Sequence, residues 1–154
     1  MSRFIISLIF VITGAILQGT NSIIIGGIKP NLALIFIITL GALQKDFLQK
    51  TVLVFSGALM LKFYPGIELQ NILFIITAMG GLLLISILPW KNTINIIIVI
   101  FLATLIMNIT TGNLEITLAE STLNTIIAIL TIFSIEAIRI YIRKRKPSLQ
   151  TKRK

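Results

Sequence analysis

The sequence predicts an all-α, polytopic membrane protein with about six transmembrane helices and both termini in the cytoplasm. Apolar residues make up 56% of its 154 residues and charged residues only 12%. A soluble core of this size cannot cover so much apolar surface, so the expected solvent is a lipid bilayer. The apolar residues fall in runs separated by short polar breaks, and the runs are apolar on every side. This pattern favours helices over the alternating strands of a membrane barrel.

Six runs come close to the roughly 20 residues needed to cross a hydrocarbon core. The predicted spans are residues 4–25, 28–43, 47–63, 72–88, 94–109 and 123–142. They form one transmembrane domain, 1–142, and a basic cytoplasmic tail, 143–154, follows it. We expect the tail to be disordered, because Pro147 and Ser148 oppose further helix. Since all the breaks are short, helices adjacent in sequence are expected to be antiparallel neighbours.

The first two runs need separate justification. The first follows Arg3, but no small-residue cleavage site comes after it, so we interpret it as a retained helix rather than a signal peptide. The second run is the shortest, and it reaches the lower limit for a span only with 27–30 as its entry. Pro30 suits a first helical turn, where its missing N–H has no intrahelical partner to lose. If this segment only re-entered the membrane, the amino terminus would lie on the other side.

The later runs end at turn signals. The third ends at Tyr64-Pro65-Gly66, and the fourth closes at Pro89-Trp90-Lys91, where an aromatic residue and a cation mark the membrane interface. The fifth is followed by a turn at Gly112-Asn113. A polar segment containing Glu115 and Glu120 precedes the sixth run, and we predict that it lies at the outer surface.

The positive charges orient the spans. With an even number of spans the two termini share one side of the membrane, and that side holds 12 of the 14 cations. They are Arg3, Lys45, Lys50, Lys91, Arg139, Arg143, Lys144, Arg145, Lys146, Lys152, Arg153 and Lys154. Lys29 and Lys62 fall on the opposite side. By the positive-inside rule both termini face the cytoplasm, and the expected location is the inner (cytoplasmic) membrane.

The basic tail predicts a lipid partner. A net charge of +9 would suggest nucleic acid in a soluble protein, but eight of the 14 cations lie at or beyond Arg139, directly beside an apolar run. That location favours anionic lipid headgroups, and no nucleic acid partner is expected. Residues 143–146 and 152–154 are therefore predicted to anchor the topology and contact anionic lipid. Docking of a cytoplasmic protein is the alternative.

The composition argues against an enzyme. The chain has no histidine and no cysteine, so the commonest general acid–base group and all thiolate chemistry are absent, and only five carboxylates remain. We expect no cofactor and no metal site. Glu136 is the one carboxylate deep in a predicted span, and we expect it to form an intrahelical ion pair with Arg139 rather than to handle protons or substrate.

Five glycines inside the apolar runs predict close helix packing, because a missing side chain lets two backbones approach. They are Gly14, Gly41, Gly57, Gly80 and Gly81.

Two segments, GGIKPNLALIFIITLGA and SGALMLKFYPGIEL, resemble the rod-shape-determining MreD family of small bacterial inner-membrane proteins. That family shows a short polar lead with Pro-Asp opening the second helix, then a glycine-rich third helix that ends in an acidic residue and a glycine turn. The matching positions here are Lys29, Pro30, Asn31, Gly57, Lys62, Pro65 and Gly66. The similarity covers roughly residues 1–110 as a pattern, with Asn31 and Lys62 in place of the family's acidic residues.

The resemblance implies a noncatalytic scaffold without a cofactor. It would pair with a bitopic MreC-like protein or a penicillin-binding protein and link peptidoglycan elongation to cytoskeletal filaments. A different class, the membrane substrate-binding subunit of an energy-coupling-factor transporter, also has six helices in a short chain. Such a subunit needs a ligand pocket on the outer side, whereas the predicted outer breaks are short and poor in aromatic residues.

Overall fold

A computed structural model of the chain describes residues 2–61, 69–109 and 112–145, with positions 2 and 143–145 described by their backbone alone. The helices in these ranges are α1 (Ser2–Gly19), α2 (Leu32–Gly41), α3 (Phe47–Met60), α4 (Leu69–Ile87), α5 (Asn92–Asn108) and α6 (Leu114–Arg145). The only β pairing in the same ranges is an isolated antiparallel bridge between Ile25 and Ile28. The predicted all-α class is therefore confirmed for this part of the chain.

Two helices are long and apolar enough to cross a membrane, namely α4 and the Leu114–Ile142 part of α6. The other four, α1, α2, α3 and α5, are apolar but shorter. At about 1.5 Å per residue, the ten residues of α2 extend over only about 15 Å, which is half the thickness of a typical hydrocarbon core. Helix α2 is thus too short to cross such a core as a helix alone.

The first helix ends earlier than predicted. Asn21 adopts a φ of 53°, in the left-handed region where helices commonly terminate. Gly26 and Gly27, with φ of 59° and 80°, then form the turn that the Ile25–Ile28 bridge closes. The chain between α1 and α2 is consequently a loop, although the apolar pattern assigned part of it to the first two spans.

The sixth helix, in contrast, begins earlier than predicted. We expected a polar surface segment before residue 123, but the helix runs through that segment from Leu114. Asn113 caps its start, because the Asn113 Oδ1 accepts a hydrogen bond from the Ile116 N–H at 3.1 Å. Hydroxyl groups in the segment donate to carbonyl oxygens one turn back, as Ser121 Oγ does to Thr117 O at 2.8 Å. Such bonds satisfy polar side chains without ending the helix.

Helix α2 lies at the centre of the bundle. Nine of its ten residues are buried, and it contacts all five other helices. Those five surround it in the order α1, α3, α4, α5 and α6, each packing against the next. The other helices thus cover α2 along most of its length.

Two side-chain hydrogen bonds set the antiparallel register of α1 and α2. Near one end the Ala33 N–H donates to Gln18 Oε1 at 3.1 Å, and near the other Gln44 Nε2 donates to Ser7 Oγ at 3.0 Å. Gln18 and Ser7 lie about 16 Å apart along α1. The segment from Ala33 to Gln44 therefore runs alongside α1 from Gln18 back to Ser7.

Close helix contacts occur at four of the five glycines that the sequence singled out. A Cβ placed on Gly57 would lie 2.6 Å from Ile37 Cδ1, and one on Gly81 would lie 2.9 Å from Val99 Cγ1. The other two close positions are Gly14 and Gly41. Gly80 differs, because a Cβ there would meet no atom within 4 Å.

The outer surface of the bundle carries many large apolar side chains. Large apolar side chains are exposed on α1, α3, α4, α5 and α6, including Phe10 at 50%, Ile76 at 62% and Phe133 at 65%. The interior is mostly apolar as well, but it also holds polar side chains, which are Ser7, Asn31, Thr39, Gln44, Thr77, Asn95, Thr104, Thr117, Ser121 and Asn124. Soluble monomers rarely expose large contiguous apolar patches, so this surface suits lipid or partner helices.

Candidate functional site: a buried asparagine cluster at the start of α2

The motif at the start of α2 uses its residues differently from the prediction. Pro30 was expected in the first helical turn, but the helix begins at Leu32 with Asn31 as its cap. The Asn31 Oδ1 accepts a hydrogen bond from the Leu34 N–H at 3.1 Å, and this satisfies one of the donors left open at a helix start. The Asn31 side chain caps the helix, so Pro30 lies one residue before the cap and outside the helix.

Asn31 is also bonded to a helix far away in the sequence, α6. Its backbone N–H donates to Asn124 Oδ1 on α6 at 2.9 Å. The Asn124 Nδ2 in turn donates to Thr104 Oγ1 on α5 at 3.1 Å, and Thr104 Oγ1 donates to the Ile100 carbonyl at 2.9 Å. Asn124 and Thr104 are fully buried. One side-chain amide thus joins the start of α2, the last turns of α5 and the body of α6.

A second bond between α5 and α6 lies next to the first. The Asn108 Nδ2 donates to Glu120 Oε2 at 2.8 Å. The Glu120 carboxylate, which is half-buried, also accepts a hydrogen bond from Asn124 and lies within electrostatic reach of Lys29. We call Asn31, Thr104, Asn108, Glu120 and Asn124 the asparagine cluster.

Polar groups elsewhere in the interior are isolated or paired. Asn95 Nδ2 donates to the carbonyl oxygens of Ile85 and Leu88 at 3.2 and 3.0 Å, at the end of α4. Three buried side-chain oxygens of the described residues have no hydrogen-bond partner, namely those of Thr39, Thr77 and Asn95. The asparagine cluster is therefore where buried hydrogen bonds between helices concentrate.

The cluster suits helix association better than reaction chemistry. It contains one carboxylate, which two amide groups hold, and its donors and acceptors serve each other across helices. Within the described ranges no group of three or more His, Cys, Asp or Glu side chains is placed to hold a metal ion. Beside the cluster is an open groove of about 410 Å³. Its lining is mostly apolar and consists of Ile25, Ile28, Leu118, Ala119, Thr122, Leu123 and Ile126.

The other positions predicted from sequence are placed as follows. Lys29 is exposed in the loop before α2, and Gly57 is buried against α2. Glu136 and Arg139 are both exposed one turn apart on α6, and their ion pair stays a prediction. Outside the described residues are Lys62, Pro65, Gly66, Lys146, Lys152, Arg153 and Lys154. Arg143, Lys144 and Arg145 lie in the last turn of α6, where only the backbone is described.

Sequence reasoning missed the central residue of the cluster. Asn124 lies four residues after Glu120, a spacing that puts both side chains on one helix face. That signal was present in the sequence, but it has meaning only if the helix starts before Glu120, and the predicted span started at residue 123. The pairing of Asn124 with Asn31, 93 residues away, has no local signal at all.

Comparison with known proteins adds no relative, since no protein-family model, no curated protein and no solved structure matches this chain.

Proposed function

We propose that the chain is a six-span integral membrane protein with both termini in the cytoplasm, and that it acts as a noncatalytic scaffold of the MreD kind. Its ligands are the helices of other membrane proteins of cell-wall elongation. The observation that carries this proposal is the apolar outer surface of the bundle, around a core that also contains hydrogen-bonded polar side chains. Buried polar groups hold the helices together, and the apolar surface is left for lipid and partner helices.

The central position of α2 supports six crossings. The stretch from Pro30 to Gln44 is buried except for the half-buried Phe36, Ala42 and Leu43, and it includes the non-helical residues on both sides of α2. Most of its backbone is thus covered by protein. Its bonds to Gln18 and Ser7 lie about 16 Å apart along α1. A segment that traverses the bundle in this way would connect the two sides, and the charge bias of 12 cations to 2 then favours cytoplasmic termini.

The capping role of Asn31 supports the scaffold assignment. The family pattern has Pro-Asp at the start of the second helix, and asparagine and aspartate are equally good caps. Asn31 thus keeps the function of the residue that it replaces, and its neutral amide avoids burying a charge. Without histidine or cysteine, and with one carboxylate in the asparagine cluster, we assign the buried polar residues to packing rather than chemistry.

Affinity capture from native membranes tests the scaffold role. A tagged chain should co-purify with an MreC-like protein or a penicillin-binding protein, whereas a tagged, unrelated multi-span protein expressed at the same level should not. Recovery of an ATPase-driven transport module instead, or a rise in melting temperature on adding a vitamin, would favour the energy-coupling-factor alternative and refute the scaffold.

Cysteine labelling tests the six-span topology, because the chain contains no cysteine of its own. Ser22 and Lys45 are exposed on either side of α2, so Ser22→Cys and Lys45→Cys form a matched pair. A membrane-impermeant maleimide added to wall-free cells should label Ser22→Cys at once and Lys45→Cys only after permeabilisation. Labelling of both variants in intact cells would mean that α2 does not connect the two sides.

A further inference from the structure

Helix α6 extends beyond the bundle at its carboxyl-terminal end. Two bonds set its antiparallel register with α5, since Thr104 is joined to Asn124 and Asn108 to Glu120. Continued along both helices, this register brings the first residue of α5, Asn92, level with Glu136. The last nine residues of α6 therefore continue about 13 Å past the start of α5.

The face of α6 that packs into the bundle continues into this extension. Residues spaced alternately four and three apart form one stripe along the helix, the spacing of a helix–helix seam. They are Asn124, Ala128, Thr131, Ile135, Ile138 and Ile142, and the buried Ile132 lies directly beside them. Their burial falls along the helix, from fully buried at Ala128 to 59% exposed at Ile138 and 51% at Ile142. A seam that is covered in the bundle is thus uncovered beyond it, where its residues Ile138 and Ile142 are apolar.

We propose that Ile138 and Ile142 form the docking surface for an apolar helix of a different membrane protein, one that carries acidic residues at its cytoplasmic end. This inference rests on the proposed membrane scaffold and names the surface through which it acts. Ile138 and Ile142 continue the row of residues through which α6 packs in the bundle, so a partner helix can pack against them in the same way. Arg139, directly after Ile138, and residues 143–145 supply the positive charge that an acidic partner would complement.

Lipid is a poorer occupant of this surface. Asn92 follows directly after Trp90 and Lys91, a pair that marks a membrane interface. Because Glu136 is level with Asn92, Ile138 and Ile142 lie at or beyond that interface, where acyl chains do not reach. The remaining chain is also unsuited, since residues 146–154 include one large aliphatic side chain, Leu149.

A second copy of this chain is disfavoured by charge. Two α6 helices side by side in one membrane would be parallel and would bring Arg139 and residues 143–145 of both copies together. Each copy offers only Glu136 to offset them. Like charges at an interface disfavour association, so the partner is a different protein.

Site-directed crosslinking tests the proposal. Ile138→Cys places a thiol on the seam, and Ile140→Cys, 55% exposed and about 160° away on the far face of the helix, is the matched control. After a thiol-directed photo-crosslinker is attached in native membranes, Ile138→Cys should give one discrete protein adduct and Ile140→Cys should not. Sequencing should assign the linked peptide to an apolar helix with an acidic residue at its cytoplasmic end. Adding Arg139→Glu to Ile138→Cys should lower the adduct yield several-fold.

Three outcomes would overturn the docking surface. They are equal adducts from both thiols, adducts to lipid alone, and a crosslinked dimer of this chain through Ile138→Cys. The scaffold role fails separately. A wall-elongation protein linked through Ile140→Cys would keep the scaffold and move the surface, whereas a transport subunit linked through Ile138→Cys would keep the surface and refute the scaffold.

Discussion

Two neighbouring glycines in α4 test how closely the central helices approach. Gly81 is buried, and a Cβ there would lie 2.9 Å from Val99 Cγ1 on α5 and 3.4 Å from Ile38 Cδ1 on α2. Gly80 is exposed, and a Cβ there would meet nothing within 4 Å. Gly81→Ala and Gly80→Ala therefore add the same methyl group to the same helix, once into a contact and once into open space.

The two variants share one favourable term and differ in one unfavourable term. Replacing glycine by alanine inside a helix stabilises it by about 0.8–1.0 kcal/mol, and this term is common to both. Overpacking costs about 1–3 kcal/mol and applies to Gly81 alone, because Val99 is only 1% exposed and its branched side chain is held in one rotamer. We expect Gly80→Ala to be more stable than the wild type, and Gly81→Ala to be less stable than Gly80→Ala by about 1–3 kcal/mol.

Thermal unfolding of the purified protein in one detergent, followed by circular dichroism, measures this difference. At roughly 2–4 °C per kcal/mol for a chain of this size, Gly81→Ala should melt about 2–12 °C below Gly80→Ala. Val99→Ala introduced with Gly81→Ala should cost less than the two single changes added together, since it makes room for the methyl group. Equal melting temperatures for the two glycine variants would refute the close approach of α4 to α5.

Two further predictions concern the asparagine cluster. Asn124→Leu should lower the free energy of unfolding by about 1–3 kcal/mol in the same assay, because it leaves the buried Asn31 N–H without an acceptor. Ser134→Ala, on an exposed part of α6, should change it by less than about 0.5 kcal/mol, and equal effects would contradict a structural role for Asn124. Glu120→Ala should lower the melting temperature, whereas Glu120→Gln, which keeps an oxygen to accept from Asn108, should retain most of the stability. Equal loss in both Glu120 variants would mean that the carboxylate charge, not the hydrogen bond, carries the effect.

Periodicity and composition predicted the helical class and most helix positions, but they missed the true bounds of α6. Its first turns contain threonine, serine and glutamate, which interrupt an apolar run and look like a surface break. In three dimensions the hydroxyls bond back to their own helix, as Thr125 Oγ1 does to Ser121 O at 2.7 Å. A hydropathy pattern cannot distinguish a polar residue whose side chain bonds to its own helix from a polar residue in a loop.

The glycines show where sequence reasoning reaches its limit. A glycine in an apolar run indicates that two helices can approach, and at Gly14, Gly41, Gly57 and Gly81 they do. The sequence could not separate Gly80 from Gly81, because one residue turns a helix position by about 100° and so from a neighbouring helix to open surface.

The sequence by itself determined the all-α class, the apolar character of the helices and the concentration of positive charge at the carboxyl-terminal end. These are local or additive properties, since each depends on residue type and spacing within one segment. Only the tertiary structure decided that the shortest helix lies at the centre and that Asn124 joins Asn31 to Thr104. Such choices depend on which helix faces meet across long separations in the chain, and many apolar faces have nearly the same composition. Buried hydrogen bonds, each directional and costly to leave unmade, then select one arrangement among them.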